Sequence, residues 1–327
     1  MASQREYSLD ALKMVLIALV IYAHIPLLGG LMPAGDIEID AMTWHSVKGI
    51  YSFHMPLFVL LSGYFTRRKD VRSQWKGSVK LLKLFVFFQV VDLALKGLSV
   101  GQFPTLHDCI CPSFALWYLL CLFYWRMLIS LLPATLDRRL LVIGSIVISL
   151  LIGFVPIRGE LGFQRFFSFM PYFFIGHYYG EWLMQKIDSL ILRLTPPLLL
   201  VCIIATGLMV VVSSYNPRWL NVIISPYPDI LGLPLRMVFL LGSTLVSILL
   251  ILEFRYKKNW DGSKLAVAGR DTLFFYLYHP YVLCCVVVIW KNYSERINMA
   301  EAIGITMLTI AILLLLKQVK PLYSILR

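Results

Sequence analysis

The stretch from Leu9 to Leu31 reads LDALKMVLIALVIYAHIPLLGGL. Charge is confined to its start, at Asp10 and Lys13, and the run then stays apolar until His24. A helix needs ~20 apolar residues to cross the hydrocarbon core of a bilayer. This run is long enough, and it sets the pattern for the chain. Of 327 residues, 59% are hydrophobic and only 15% charged. The mean hydropathy is +0.77. Soluble domains carry about 45–50% apolar and about 25% charged residues. A water-soluble fold with this little charge has too few polar groups to cover its surface. The composition therefore excludes a cytosolic enzyme, a secreted disulfide scaffold and a disordered chain. It leaves a polytopic membrane protein with room for roughly ten spans and no large soluble domain.

The opening run is expected to stay as a span rather than be cleaved as a signal peptide. Asp10 and Lys13 stand at its start, and no small-residue cleavage site precedes Gly29-Gly30. Nine further apolar runs follow: Ser46–Phe65, Ser78–Leu98, Phe114–Leu132, Leu140–Val155, Phe166–Met184, Pro197–Val212, Leu231–Leu252, Leu265–Trp290 and Ala300–Lys317. All are expected to be helices, because the bilayer core has no water to satisfy an open backbone. The expected fold is an all-α, polytopic membrane helix bundle of about ten spans, a single domain over residues 1–327.

Charge gives the orientation. With both termini cytoplasmic, the inner segments hold 17 Lys and Arg and the outer segments five. The inner set includes Arg5, the run Arg67-Arg68-Lys69, Arg138, Arg139, Lys258 and Arg327; Arg158 is among the outer five. The first outer loop is acidic, with Asp36, Glu38 and Asp40. This asymmetry follows the positive-inside rule, so the net charge of +12 reads as membrane topology and not as nucleic-acid binding. Six cysteines, four of them in apolar runs, show no zinc spacing, and no metal is expected.

Ionisable residues at membrane depth are costly and mark candidate sites. Counting from the span ends, His24 lies ~16 Å beyond Lys13, His54 ~12 Å below the outer face, and His279 ~21 Å from the inner end of its span. Three histidines on three helices thus reach similar depths in the outer half. Arg126 and His177 fall in the inner half, near the level of Lys13. Each deep histidine has a proline within two residues, at Pro26, Pro56 and Pro280. Proline frees the carbonyl four residues earlier, and such backbone is tolerated at depth beside protein or a wet cavity. Three kinked histidine helices around a polar chamber are therefore expected. Any one histidine can instead merely cross-bond two helices, and Lys13 can pair with Asp10 one turn away. His45 and His107 read as loop or interfacial residues, Trp290 as an interface anchor, and Asp92 has no partner identifiable in the sequence.

Several motifs resemble the acyltransferase-3 family of integral-membrane O-acyltransferases. They are Leu9-Asp10-Ala11-Leu12-Lys13 followed by His24, then Phe53-His54-Met55-Pro56-Leu57-Phe58 closing with Ser62-Gly63-Tyr64-Phe65. Leu116-Trp117-Tyr118-Leu119 with Arg126, Met170 through Gly176, and Leu273 through Pro280 complete the set. Their order is the family's, and the branch they resemble includes fucose 4-O-acetylase-like enzymes. Many members carry Arg where this chain has Lys13; the charge is kept but the planar fork is lost.

The resemblance implies transfer of an acyl group, usually acetyl, from cytoplasmic acyl-CoA to a hydroxyl of a glycan or lipid-linked sugar. In a bacterium the enzyme would sit in the inner membrane, with the lipid bilayer as its other partner. Such chemistry needs a base for the hydroxyl proton, for which histidine suits neutral pH, and a donor or cation for the oxyanion. His24 is the expected base, with His54 or His279 as orienter or as a hydrogen-bond donor at the acceptor site. Lys13, Asp10 and Arg126 are expected on the donor side. An acyl-histidine relay across the membrane is the covalent alternative open to this set. A transporter or flippase of a glycan precursor is the rival class, because broken helices with polar midplane residues suit transport too. The sequence leaves the acceptor, the acyl length and the oligomeric state open.

Overall fold

The computed structural model describes residues 6–30, 38–67, 71–100, 103–133, 135–157, 159–215, 218, 221–257 and 259–326. Arg5, Leu31, Asp36, Arg68, Lys69, Arg158, Lys258 and Arg327, on which parts of the sequence reading rest, lie outside the described residues. The helices are α1 (Tyr7–His24), α2 (Ala41–Tyr51), α3 (His54–Arg67), α4 (Val71–Val100), α5 (Leu106–Ile110), α6 (Trp117–Leu131) and α7 (Arg138–Leu151). They continue with α8 (Phe163–Ile191), α9 (Pro196–Ser214), α10 (Gly232–Tyr256), α11 (Lys264–Ala268), α12 (Thr272–Trp290), α13 (Met299–Leu316) and α14 (Lys320–Ser324). Among the described residues the only extended pairing is a two-residue parallel bridge, Glu38–Ile39 with Arg296–Ile297. The fold is all-α, as the composition requires.

Helix underlies each of the ten expected runs. Among the described residues, five helical stretches are long and apolar enough by themselves to cross a membrane: Tyr7–Leu28, Pro196–Ser214, Gly232–Tyr256, Lys264–Trp290 and Met299–Leu316. The second run differs from the expected single helix. It is α2 and α3, separated at Ser52 and Phe53, whose N–H groups donate to the Gly49 and Ile50 carbonyls. Pro56 explains the restart: a proline fits the first turn of a helix, where no intrahelical donor is needed. The three prolines thus have three uses rather than one shared kink. Pro26 lies in a 3₁₀ stretch, Ile25–Gly30, that ends α1 at His24. Pro56 opens α3, and Pro280 lies inside α12, which stays helical through it.

The chain divides into two compact units. The first comprises residues 1–54, 186–215 and 246–327. In it α1 packs on α11, α12 and α13, and α2 packs on α9. Gly269 permits the first of these contacts, since a Cβ there would overlap the Asp10 carbonyl oxygen. The bridge ties together the two segments that the charge pattern places outside. Cysteine labelling of positions 38–40 and 292–298 from outside, and of 71–76 and 255–264 only from inside, is the expected outcome. Outside labelling of 71–76 would overturn the span count.

The second unit comprises residues 55–185 and 216–245. In it α4 packs on α6, and α3 meets α8 backbone to backbone. A Cβ on Gly63 would overlap the Phe173 carbonyl, and one on Gly176 would overlap the Leu60 carbonyl. Neither obstacle is a side chain that can swing aside. Gly176→Ala and Gly63→Ala must push the helices apart, at a cost of about 1–3 kcal/mol or more. Both variants are expected to lose thermal stability in detergent, while Gly207→Ala, with open space around it, is expected to melt like the parent chain.

Candidate functional site

The first unit brings two of the three deep histidines together. His24 ends α1, and His279 lies completely buried in α12. His24 Nδ1 and His279 Nε2 are 2.8 Å apart. The ring centroids are separated by 5.1 Å with an 18° interplanar angle, a near-parallel orientation that suits an in-plane N–H···N bond.

Backbone geometry sets the direction of that bond. His279 Nδ1 lies 2.7 Å from the Tyr276 carbonyl oxygen. A carbonyl only accepts, so His279 carries its proton on Nδ1 and, as a neutral ring, holds a lone pair on Nε2. His24 Nδ1 must then be the donor, and neutral His24 holds its own lone pair on Nε2. Pro280 is part of the cause. Having no N–H, it cannot use the Tyr276 carbonyl four residues earlier, and the imidazole of His279 takes that acceptor instead. The adjacent proline noted in the sequence acts here as a tautomer lock. A second bond steadies α1 nearby: Tyr22 Oη lies 2.7 Å from Ser46 Oγ.

His54 is fully buried and makes a different arrangement. Its Nδ1 lies 2.8 Å from the Ile50 carbonyl, and its ring meets Tyr51 edge to face at 4.8 Å. The same argument leaves its Nε2 as an acceptor, so the expected role as a hydrogen-bond donor does not fit the neutral ring. Lys13 and Asp10 form the one-turn ion pair, 2.8 Å apart. His45 Nδ1 approaches the Ser214 carbonyl at 3.3 Å.

The second unit holds a polar ladder of motif residues. Tyr118 Oη and Ser62 Oγ are 2.5 Å apart. Thr66 Oγ1 donates to the Ser62 carbonyl, and Arg126 Nε donates to Thr66 Oγ1 at 3.3 Å. Tyr118 and Ser62 come from two of the quoted motifs, and their bond gives the motifs a shared reason. His177 lies in α8 with its ring parallel to Phe173.

Arg236 lies outside the motifs and candidate residues named from the sequence. It is fully buried in α10 and donates to the carbonyls of Val222, Ser149 and Ser225 at 2.7, 2.8 and 3.0 Å. Its guanidinium also lies over the Tyr227 ring at 4.5 Å. The rule that selected Arg126, a cation inside an apolar run, selects Arg236 as well. Among the described residues no cluster of His, Cys, Asp and Glu is arranged to hold a metal.

Against this geometry, the model of the acyltransferase-3 family, described as an acyltransferase domain, matches residues 6–317. The chain belongs to the acyltransferase-3 family. Both histidines of the bonded pair and the two motif-rich helices α3 and α8 fall inside the match. One relative is the nodulation protein NolL of Mesorhizobium japonicum, 34% identical over 113 residues. That stretch covers 32% of this chain and 29% of the relative. No solved structure matches the chain significantly.

Proposed function

We propose that this acyltransferase moves an acyl group, acetyl in the first instance, from cytoplasmic acyl-CoA to a hydroxyl of a glycan or lipid-linked sugar. The proposed setting is the cytoplasmic membrane of a bacterium. The observation that carries the chemistry is the chain of bonds from the Tyr276 carbonyl through His279 to His24. It fixes the lone pair of His24 on Nε2, the requirement for a base that takes a hydroxyl proton. The alkoxide then attacks the thioester carbon and forms a tetrahedral oxyanion. Collapse breaks the carbon–sulfur bond, and the His24 proton passes to the departing thiolate. His279 is the positioning residue: its Nε2 accepts from His24 Nδ1 and supports the imidazolium formed in mid-reaction, the part the orienting acid plays in a hydrolase triad. His54, with Nε2 as acceptor, is assigned to hold a hydroxyl of the acceptor substrate.

The test is incubation of purified protein with acetyl-labelled acetyl-CoA and a lipid-linked glycan fraction. Thiol release coupled to acceptor labelling is expected. Substrate movement across vesicles with no thiol release would instead support the transporter reading.

Lys13 and Arg126 are assigned to the charged donor, each tested in its own variant. Hydrogen bonds to charged groups contribute about 1.5–3 kcal/mol. Lys13→Ala and Arg126→Ala are therefore expected to raise the apparent KM for acyl-CoA by roughly 10–100-fold, with smaller effects on the acceptor. Lys13→Arg should keep much of the activity, because the charge is retained. Asp10 holds Lys13 in place and contributes to the donor side through it. An unchanged donor KM in both alanine variants, with normal turnover, would remove them from the donor path.

A further inference from the structure

Arg67 closes α3, Arg138 and Arg139 open α7, and Tyr178, Glu181 and Trp182 lie along one stretch of α8. Together they line a cavity of about 670 Å³ in the second unit. An adjoining cavity of about 250 Å³ shares Arg67, Arg138 and Tyr178 and is also lined by His177. Arg67 is anchored to α8, donating to the Tyr178 carbonyl at 3.3 Å and lying 3.4 Å from a Glu181 carboxylate oxygen. Arg138 and Arg139 are exposed, and neither forms an ion pair among the described residues. Among the described lining residues, three guanidinium groups thus stand beside one carboxylate.

This lining has a specific chemistry. Guanidinium forks match phosphate oxygens two at a time, and Trp182 and Tyr178 offer flat faces on which a base can stack. The volume lies within the range of about 300–1,000 Å³ that small-molecule sites occupy. The charge pattern assigns the end of α3 and the start of α7 to the cytoplasmic side, where nucleotide-bearing donors are made.

We propose that the cavity lined by Arg67, Arg138, Arg139 and Trp182 binds a phosphorylated nucleotide, the adenosine 3′,5′-bisphosphate end of the acyl-CoA donor. The proposal rests on the donor reading above. It adds a site that the motifs do not mark, separate in sequence from Lys13 and Arg126.

The experiment titrates adenosine 3′,5′-bisphosphate into the full chain in nanodiscs of neutral phosphatidylcholine, followed by calorimetry. Saturable binding that weakens as salt rises is expected. The Arg138→Gln/Arg139→Gln double variant should raise Kd by at least roughly tenfold, the loss of one charge-assisted contact. Glu181→Gln should act in the opposite direction and tighten binding several-fold, which keeps the test decisive even if the arginine variants fold poorly. No nucleotide binding by the parent chain, or equal Kd in all variants, would overturn the proposal. So would arginine-dependent binding of phosphatidylglycerol without nucleotide binding, which would give the cavity to a lipid headgroup. The readout is binding and not transfer, so failure here leaves the labelled acetyl-CoA assay standing. Failure of that assay with nucleotide binding retained would keep the binding site but remove acyl-CoA as its ligand.

Discussion

His24→Ala is expected to lower acyl transfer by roughly 10²–10⁴-fold, the usual contribution of a positioned general base. The substitution also leaves the buried Nε2 of His279 without its donor, which alone costs about 1–3 kcal/mol of stability. A second variant separates the two effects. His24→Asn offers an amide N–H in place of the imidazole donor but no base, so it should be as inactive as the alanine variant while melting closer to the parent chain. His279→Asn is expected to act more mildly, lowering kcat and leaving the KM for both substrates near its parent value, because it orients the base without touching substrate. Near-normal transfer in folded His24→Ala protein would remove His24 from the chemistry. A change in KM alone for His279→Asn would make it a binding residue rather than a positioning one.

The second large effect is structural. Arg236→Met is expected to cost on the order of 2–6 kcal/mol, from leaving two buried carbonyls without their donor at about 1–3 kcal/mol each. Against a total stability of about 5–15 kcal/mol, that loss is a large fraction of the whole. The Ser225 carbonyl keeps one partner, Gln164 Nε2 at 3.1 Å, so the damage falls mainly on Val222 and Ser149. No carboxylate of a described residue pairs with Arg236, so its charge is met by carbonyl dipoles and by the Tyr227 ring. Arg236→Lys keeps the charge but not the planar fork, and one ammonium cannot reproduce the spread of the three bonds. It should therefore recover only part of the loss. Melting temperature and yield in detergent are the measurements. A methionine variant that melts like the parent chain would show that water or lipid replaces the lost donors.

The cavity at Arg67 illustrates what a sequence leaves hidden. Arg67, Arg138 and Arg139 are conspicuous along the chain, but as isolated basic loops they read only as topology signals. They become a site when α3, α7 and α8 converge within one unit. The same holds for Gly63 and Gly176. Each is an unremarkable glycine in its motif, and the reason for it appears only when α3 and α8 touch backbone to backbone.

What the sequence determined by itself is whatever depends on local composition. The length of an apolar run decides whether a helix can cross a bilayer, and helix underlies all ten of the runs read from Leu9 to Lys317. The charge pattern, the selection of His24, His54 and His279 as candidates and the resemblance to the acyltransferase-3 family come from the same source. Tertiary structure decided where those residues sit and what they bond to. It split the second run at Ser52 and Phe53, gave three neighbouring prolines three separate uses, and set His54 on its own carbonyl. It also joined His24 to His279 across 255 positions of chain. Hydrophobicity sums over neighbours in sequence and is legible there. A hydrogen bond depends on direction as well as distance, and both are fixed only when distant segments pack. The lone pair on His24 exists where it does because Pro280 leaves the Tyr276 carbonyl for His279 to occupy.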